Sequence, residues 1–176
     1  MIQKKREKYW LKKANLLSWD KYPKKAFIKK KQNHFEWYPD GKINLYKNLI
    51  SKHLKKNSKK ICIITIDKKG NLKKYSYDEI NHLVEKFLNQ VKIEFRVKNL
   101  QRAIIHSSAS IESAVAMLAC IKTNVYFSVI FEDLSLEAIE KRVKLFKPNI
   151  ILTKSHNHFS NLKSIFKKKS FFIRCR

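Results

Sequence analysis

With 176 residues, 44% of them hydrophobic and 12% aromatic, the chain is sized for one real core and is too apolar for a disordered polymer. Its 40 basic against 14 acidic residues give a formal charge of +26, which taken alone points to nucleic acid. Yet 34 of the 40 are Lys and 6 are Arg, whereas phosphate and base recognition recruits Arg for its planar fork.

Lys, Ile and Asn share A/T-rich codons, so a biased genome makes this mixture without selecting a partner. The charge therefore reads as solvated surface. Cys62, Cys120 and Cys175 are odd in number and lack C-x-x-C spacing, which predicts free thiols in a reducing compartment. The basic N-terminus has no apolar run behind it, and no stretch is long enough to span a bilayer. A cytoplasmic protein is expected.

Residues 1–33 form a basic arm in which Trp10, Leu16, Leu17, Trp19, Phe27 and Ile28 are scattered, so part of it should dock on a folded body. Pro39, Asp40 and Gly41 follow in turn order. Apolar residues at 45, 49, 50 and 54 predict a short amphipathic helix. "ICIITI" (61–66) is an apolar strand that returns through Gly70-Asn71 as a hairpin.

Ser76 and Glu79 make an S-x-x-E capping box, and Tyr75 with Ile80 can form the hydrophobic staple. The helix they open carries one stripe at 80, 83, 84, 87, 88 and 91. "AII" (103–105) and "VYFSVIF" (125–131) read as buried strands, separated by a helix over 110–122 that is apolar nearly all round. Ser135 caps a further helix with the stripe Leu136, Ile139, Val143 and Phe146, stopped by Pro148; "NIILT" (149–153) is another strand. Strands alternating with helices at this spacing predict crossovers and a largely parallel sheet.

Candidate chemistry is sparse. A phosphate cradle needs glycines at a strand-to-helix turn, and the two glycines, Gly41 and Gly70, are not so placed. "HSSAS" (106–110) lacks the flanking glycines of a nucleophile elbow, and helix capping by Ser110 accounts for it better. His156 and His158 have no Cys or carboxylate beside them and read as loop histidines. No catalytic or metal-binding residue is predicted. His53 is expected to be exposed or to sit at a helix C-terminus. Glu132 and Asp133 are expected to face a helix N-terminus in solvent.

Three segments, in order, carry a family resemblance. They are "FEWYPDGKINLYKNLISKHL", "YSYDEINHLVEKF" and "SIESAVAMLACIKTNVYFSVIFEDLSLEAIEKRVKLFKPNIILT". Together they resemble the N-terminal region of the AMP-forming acetyl-CoA and propionyl-CoA synthetases. The resemblance implies an incomplete three-layer, doubly wound α/β domain, the opening part of an adenylate-forming enzyme. The expected division is an arm at 1–33 and a truncated α/β domain at 34–176.

The family joins a short carboxylic acid to ATP with Mg and passes the acyl group to coenzyme A. Its phosphate loop and adenylating Lys lie beyond the resembling region, so this chain alone is expected to be inactive and to hold no cofactor. Phe131 is the one residue implied to line coenzyme A. Where relatives have Gly-Gly-Phe after that strand, this chain has Glu132-Asp133-Leu134, whose carboxylates would repel a pyrophosphate.

The sequence stops at "FFIRCR", where a buried strand over 171–173 is expected, as in an interrupted or split gene whose remainder lies downstream. Two alternatives stand beside the ligase fragment. One is a small basic binding protein on the truncated scaffold. The other is one half of a split ligase whose partner is the separately encoded remainder. No membrane partner is expected, and nucleic acid is not the expected one. Lysines clustered on one face with aromatics between them would favour binding, and an even spread the codon account.

Overall fold

A computed structural model describes residues 2–31, 34–67, 69–95, 101–153 and 170–172. The chain divides into two compact units, 1–49 and 50–176. The division expected from sequence lies at 33/34, between two paired strands: β1 (Phe27–Lys31) pairs antiparallel with β2 (His34–Trp37), Phe27 opposite Trp37 and Ile28 opposite Glu36.

The first unit opens with α1 (Ile2–Ala14), a helix the sequence pattern does not announce. It has no acidic residue in its first turn and its apolar positions are few, so its support comes from the unit around it. The Trp19 indole N–H donates to the Ala14 carbonyl at 2.8 Å, and the Tyr22 and Tyr38 hydroxyls donate to the carbonyls of Leu11 and Trp10 at 2.7 and 3.0 Å. The first two bonds reach carbonyls of the last turn, which a helix leaves without an intrahelical partner, and the Tyr38 bond ties on one residue earlier. Trp10 packs edge-on against Trp37, ring centres 5.2 Å apart. The Asn48 amide accepts the Ser18 N–H and donates to the Ser18 carbonyl, both at 2.8 Å.

The predicted helix over 44–54 is different in kind. Lys47–Ser51 forms a π-helical turn leading into α2 (Lys52–Asn57). A π turn adds a residue and rotates the phase of the stripe. Ile50 is accordingly buried while Leu45 and Leu49 are exposed.

In the second unit, β3 (Ile61–Ile66) and β4 (Leu72–Ser76) form an antiparallel hairpin. Its turn is fixed by the Asp67 carboxylate, which accepts the N–H groups of Lys69 and Asn71 at 2.8 and 2.9 Å. Gly70 sits at φ +84°, where a side chain would be strained. The long helix α3 (Tyr77–Phe95) then starts where the capping box places it. Ile80, Val84, Phe87 and Val91 are buried along its stripe.

Next come β5 (Arg102–His106), α4 (Ile111–Lys122), β6 (Tyr126–Ile130), α5 (Leu136–Phe146), β7 (Ile150–Thr153) and β8 (Ser170–Phe172). The four strands form a parallel sheet in the order β6-β5-β7-β8. Its central residues are sealed: Ala103, Ile104, Ile105, Ile150, Ile151 and Leu152 are all at most 1% exposed. Ile104, Ile130 and Ile151 pack with Ile139 and Val143 of α5, and Leu134 and Phe146 close the cluster. Phe87 and Val91 of α3 meet Ala119 and Cys120 of α4 beside Leu152.

Two burial expectations change. Leu136 is exposed, because it is the first residue of α5 and lies beyond the cluster. The segment 125–131 is only partly buried. Among the described strands β6 is paired on one side only, leaving Tyr126 74% exposed and Phe131 57% exposed at its ends.

The C-terminal edge of the parallel sheet as candidate site

The sheet order places any ligand crevice. The chain leaves β5 through α4 to reach β6 on one side, then passes through α5 to β7 on the other side of β5. Connections from β5 and β7 thus diverge, and ligands in open α/β sheets bind at the carboxyl ends of such a strand pair. His106 ends β5 and Thr153 ends β7, in register with one another. Both are fully buried, with His106 Nδ1 3.4 Å from Thr153 Oγ1.

The serines after His106 serve the backbone. Ser107 donates its N–H to the Ile130 carbonyl at 3.2 Å and its hydroxyl to the Ser108 carbonyl at 3.0 Å. Ser110 Oγ accepts the Ser113 N–H at 3.3 Å, and Ser113 Oγ accepts the Ser110 N–H at 3.1 Å, a reciprocal cap on α4. The capping account of "HSSAS" therefore holds.

Phe131 lies one residue past β6, exposed at the same edge, followed by half-buried Glu132 and exposed Asp133. Ser135 caps α5 by accepting the Ala138 N–H at 3.3 Å. A diphosphate at this edge would need cations or a row of inward N–H groups. Residues 101–153 contain no glycine, and the side chains after Phe131 are carboxylates. The described residues at this edge do not fit the coenzyme A pyrophosphate.

Each glycine has a structural task elsewhere. Gly70 turns the β3–β4 hairpin, and Gly41 lies under Trp19, where an added Cβ would come within 2.8 Å of a ring carbon. Cys120 is buried among apolar groups, which pushes its thiol up to about 12, and burial also raises the Cys62 thiol. Neither is poised as a nucleophile. His156 and His158 lie outside the described residues.

His53 departs from the sequence expectation. It is half-buried and stacks on the Tyr77 ring, centres 4.5 Å apart and planes 23° apart, joining α2 to the first residue of α3. No pattern in the sequence marks a stack between residues so far apart. Every described lysine except Lys122 is exposed, and they cover the outsides of α1, β1, α2, β4, α3 and α5. Lys122 pairs with Glu85 between α4 and α3. No described helix is long and apolar enough to cross a membrane.

Comparison with known proteins divides the chain at the same point as its structure. Residues 2–49 match the family described as acetyl-coenzyme A synthetase N-terminus, and residues 50–172 match the family described as AMP-binding enzyme. The acetyl-coenzyme A synthetase of Helicobacter pylori strain G27 is 32% identical over 137 residues, which cover 78% of this chain and 21% of that protein. The Leptospira biflexa serovar Patoc enzyme is 32% identical over 155 residues, covering 85% of this chain and 23% of its own length. The chain thus spans about a fifth of the curated relatives it matches. A crystal structure of CmiS6 superposes with a TM-score of 0.56 at 17% identity, over 64% of this chain and 27% of that one, a likeness of fold.

Proposed function

Because this chain belongs to the AMP-binding enzyme family and carries the acetyl-coenzyme A synthetase N-terminus ahead of that region, we propose that it is the N-terminal scaffold of an AMP-forming short-chain acyl-CoA ligase of the cytoplasm. Acetate or propionate is the proposed acid. The observation that carries this is the tiling of residues 2–172 by two family regions that meet at the 49/50 boundary between the structural units.

The scaffold role follows from what the residues do. β5, β6 and β7 supply a sealed parallel core and a switch point, the start of the wider doubly wound sheet that the proposal assigns to the complete ligase. Bound coenzyme A would supply the acceptor thiol of such a ligase. Phe131, exposed at the edge, is the position we assign to lining it. Glu132 and Asp133 oppose its diphosphate, so diphosphate binding is no part of the proposal.

Adenylation needs a phosphate cradle and a cation at the carboxylate being activated. The described residues at the switch point are His106, Thr153 and backbone-directed serines, which cannot supply them. The chain by itself is therefore proposed to be silent. Pyrophosphate exchange into ATP, measured on the purified chain with acetate and with propionate, should equal a no-protein control. Saturable acid-dependent exchange would overturn the proposal.

A further inference from the structure

The β3–β4 hairpin has two unlike faces. On one, Tyr75 is buried and its neighbours Ile63 and Thr65 are half-buried. On the other, Ile64, Ile66 and Leu72 are 56, 69 and 61% exposed. Register puts these three together, because Ile66 stands opposite Leu72 and Ile64 opposite Lys74 on the same face. A two-stranded hairpin is marginal in water without a third strand or a covered face. Adjacent large apolar side chains on a strand face mark an interaction site.

The surroundings narrow what can cover it. Lys74 shares the face, Lys69 is exposed in the turn, and Lys60 is exposed at its base, where Lys59 pairs with Asp78 at 3.5 Å. The carboxylate in the turn, Asp67, is already engaged by the N–H groups of Lys69 and Asn71 and by the Asn71 amide. The face is apolar with a cationic border. A second copy would bring like charges together in a chain already at +26. The matched relatives carry about four-fifths of their length outside the region shared with this chain.

Resting on the ligase reading above, we infer that the Ile64–Ile66–Leu72 face is the surface on which the remainder of an AMP-forming ligase packs. That remainder meets it with an apolar patch bordered by carboxylates.

The test mixes the full chain with the separately produced remainder of the Helicobacter pylori strain G27 enzyme. Hydrogen exchange is read on peptides covering 61–76. Those peptides should slow by about tenfold or more in the mixture. The double substitution Ile64→Lys, Ile66→Lys should abolish both the slowing and co-elution, while Leu145→Lys, at an 85% exposed site on α5, should leave both intact. Unchanged exchange across α3 shows that the variants remain folded.

No complex, or a complex in which 61–76 stays exposed, overturns the inference. So does protection that grows with the concentration of the chain alone, which would assign the face to a second copy. Failure of the ligase reading shows differently, as an inactive covalent chimera of this chain with the Helicobacter enzyme.

Discussion

Replacing Ser76 by Ala should loosen the start of α3 without disturbing the sheet. Three hydrogen bonds define the cap. The Glu79 carboxylate accepts the Ser76 N–H at 2.7 Å and the Ser76 hydroxyl at 2.8 Å, and Ser76 Oγ accepts the Glu79 N–H at 3.3 Å. Alanine removes the two that need the hydroxyl and leaves the backbone bond to Glu79. Losses of N-cap hydroxyls centre on about 1 kcal/mol. The site is 6% exposed, so water cannot fully replace the lost acceptor, and the expected cost is about 1–1.5 kcal/mol.

For a chain of this size that cost lowers the thermal midpoint by about 2–6 °C. Urea unfolding followed at the helix band should show a lower midpoint with an unchanged slope. Amides in the first turn of α3 should exchange faster, while those of β5 and β7 should not. Ser76→Thr keeps the hydroxyl and should restore most of the loss. An alanine variant as stable as the parent, or equal acceleration in β5 and α3, would refute the reasoning.

Three other perturbations have signs fixed by the structure. The Ser76 N–H, followed by its hydroxyl, holds the Glu79 carboxyl below its ordinary value. This support is present above the unfolded value and lost as pH falls through the depressed folded value; an NMR titration midpoint at or above the ordinary glutamate value would contradict it. Gly41→Ala places a Cβ 2.8 Å from a Trp19 ring carbon and 3.2 Å from the Pro23 Cβ. It should destabilise the first unit by about 1–3 kcal/mol, read by tryptophan fluorescence during urea unfolding, and an unshifted midpoint would count against it. Ile104→Ala, at a 1% exposed site packed by Ile139 and Val143, should cost about 2–5 kcal/mol in urea unfolding of the second unit; a loss below about 1 kcal/mol would show that the cluster is not a packed core.

Local chemistry was the legible part of the sequence. The Ser76–Glu79 box, the Ser110 and Ser135 caps and the alternation of strands with helices each involve residues a few positions apart, and each is found where expected. What the sequence hid depends on distant partners. α1 has a weak stripe of its own and is held by hydroxyls from Tyr22 and Tyr38. The turn at Lys47–Ser51 is π-helical, which an even helical period cannot reveal. Tyr126 and Ile64 look like core residues but lie on an edge strand and an open hairpin face, because strand period fixes the face and not what lies against it.

At the candidate site, Phe131 is a proposed position that rests on the family resemblance alone. The burial of His106 beside Thr153 follows from sheet order, which no stretch of sequence states.

The central claim, that this chain is the N-terminal scaffold of an AMP-forming short-chain acyl-CoA ligase, is tested most directly by exchanging scaffolds. The matched region of the Helicobacter pylori strain G27 acetyl-coenzyme A synthetase, 137 aligned residues at 32% identity, is replaced by this chain in one continuous polypeptide. Acetate-dependent pyrophosphate exchange into ATP is then measured. The account predicts exchange by the chimera and none by the 176-residue chain alone. A folded chimera with no exchange, or exchange by the isolated chain, would contradict it.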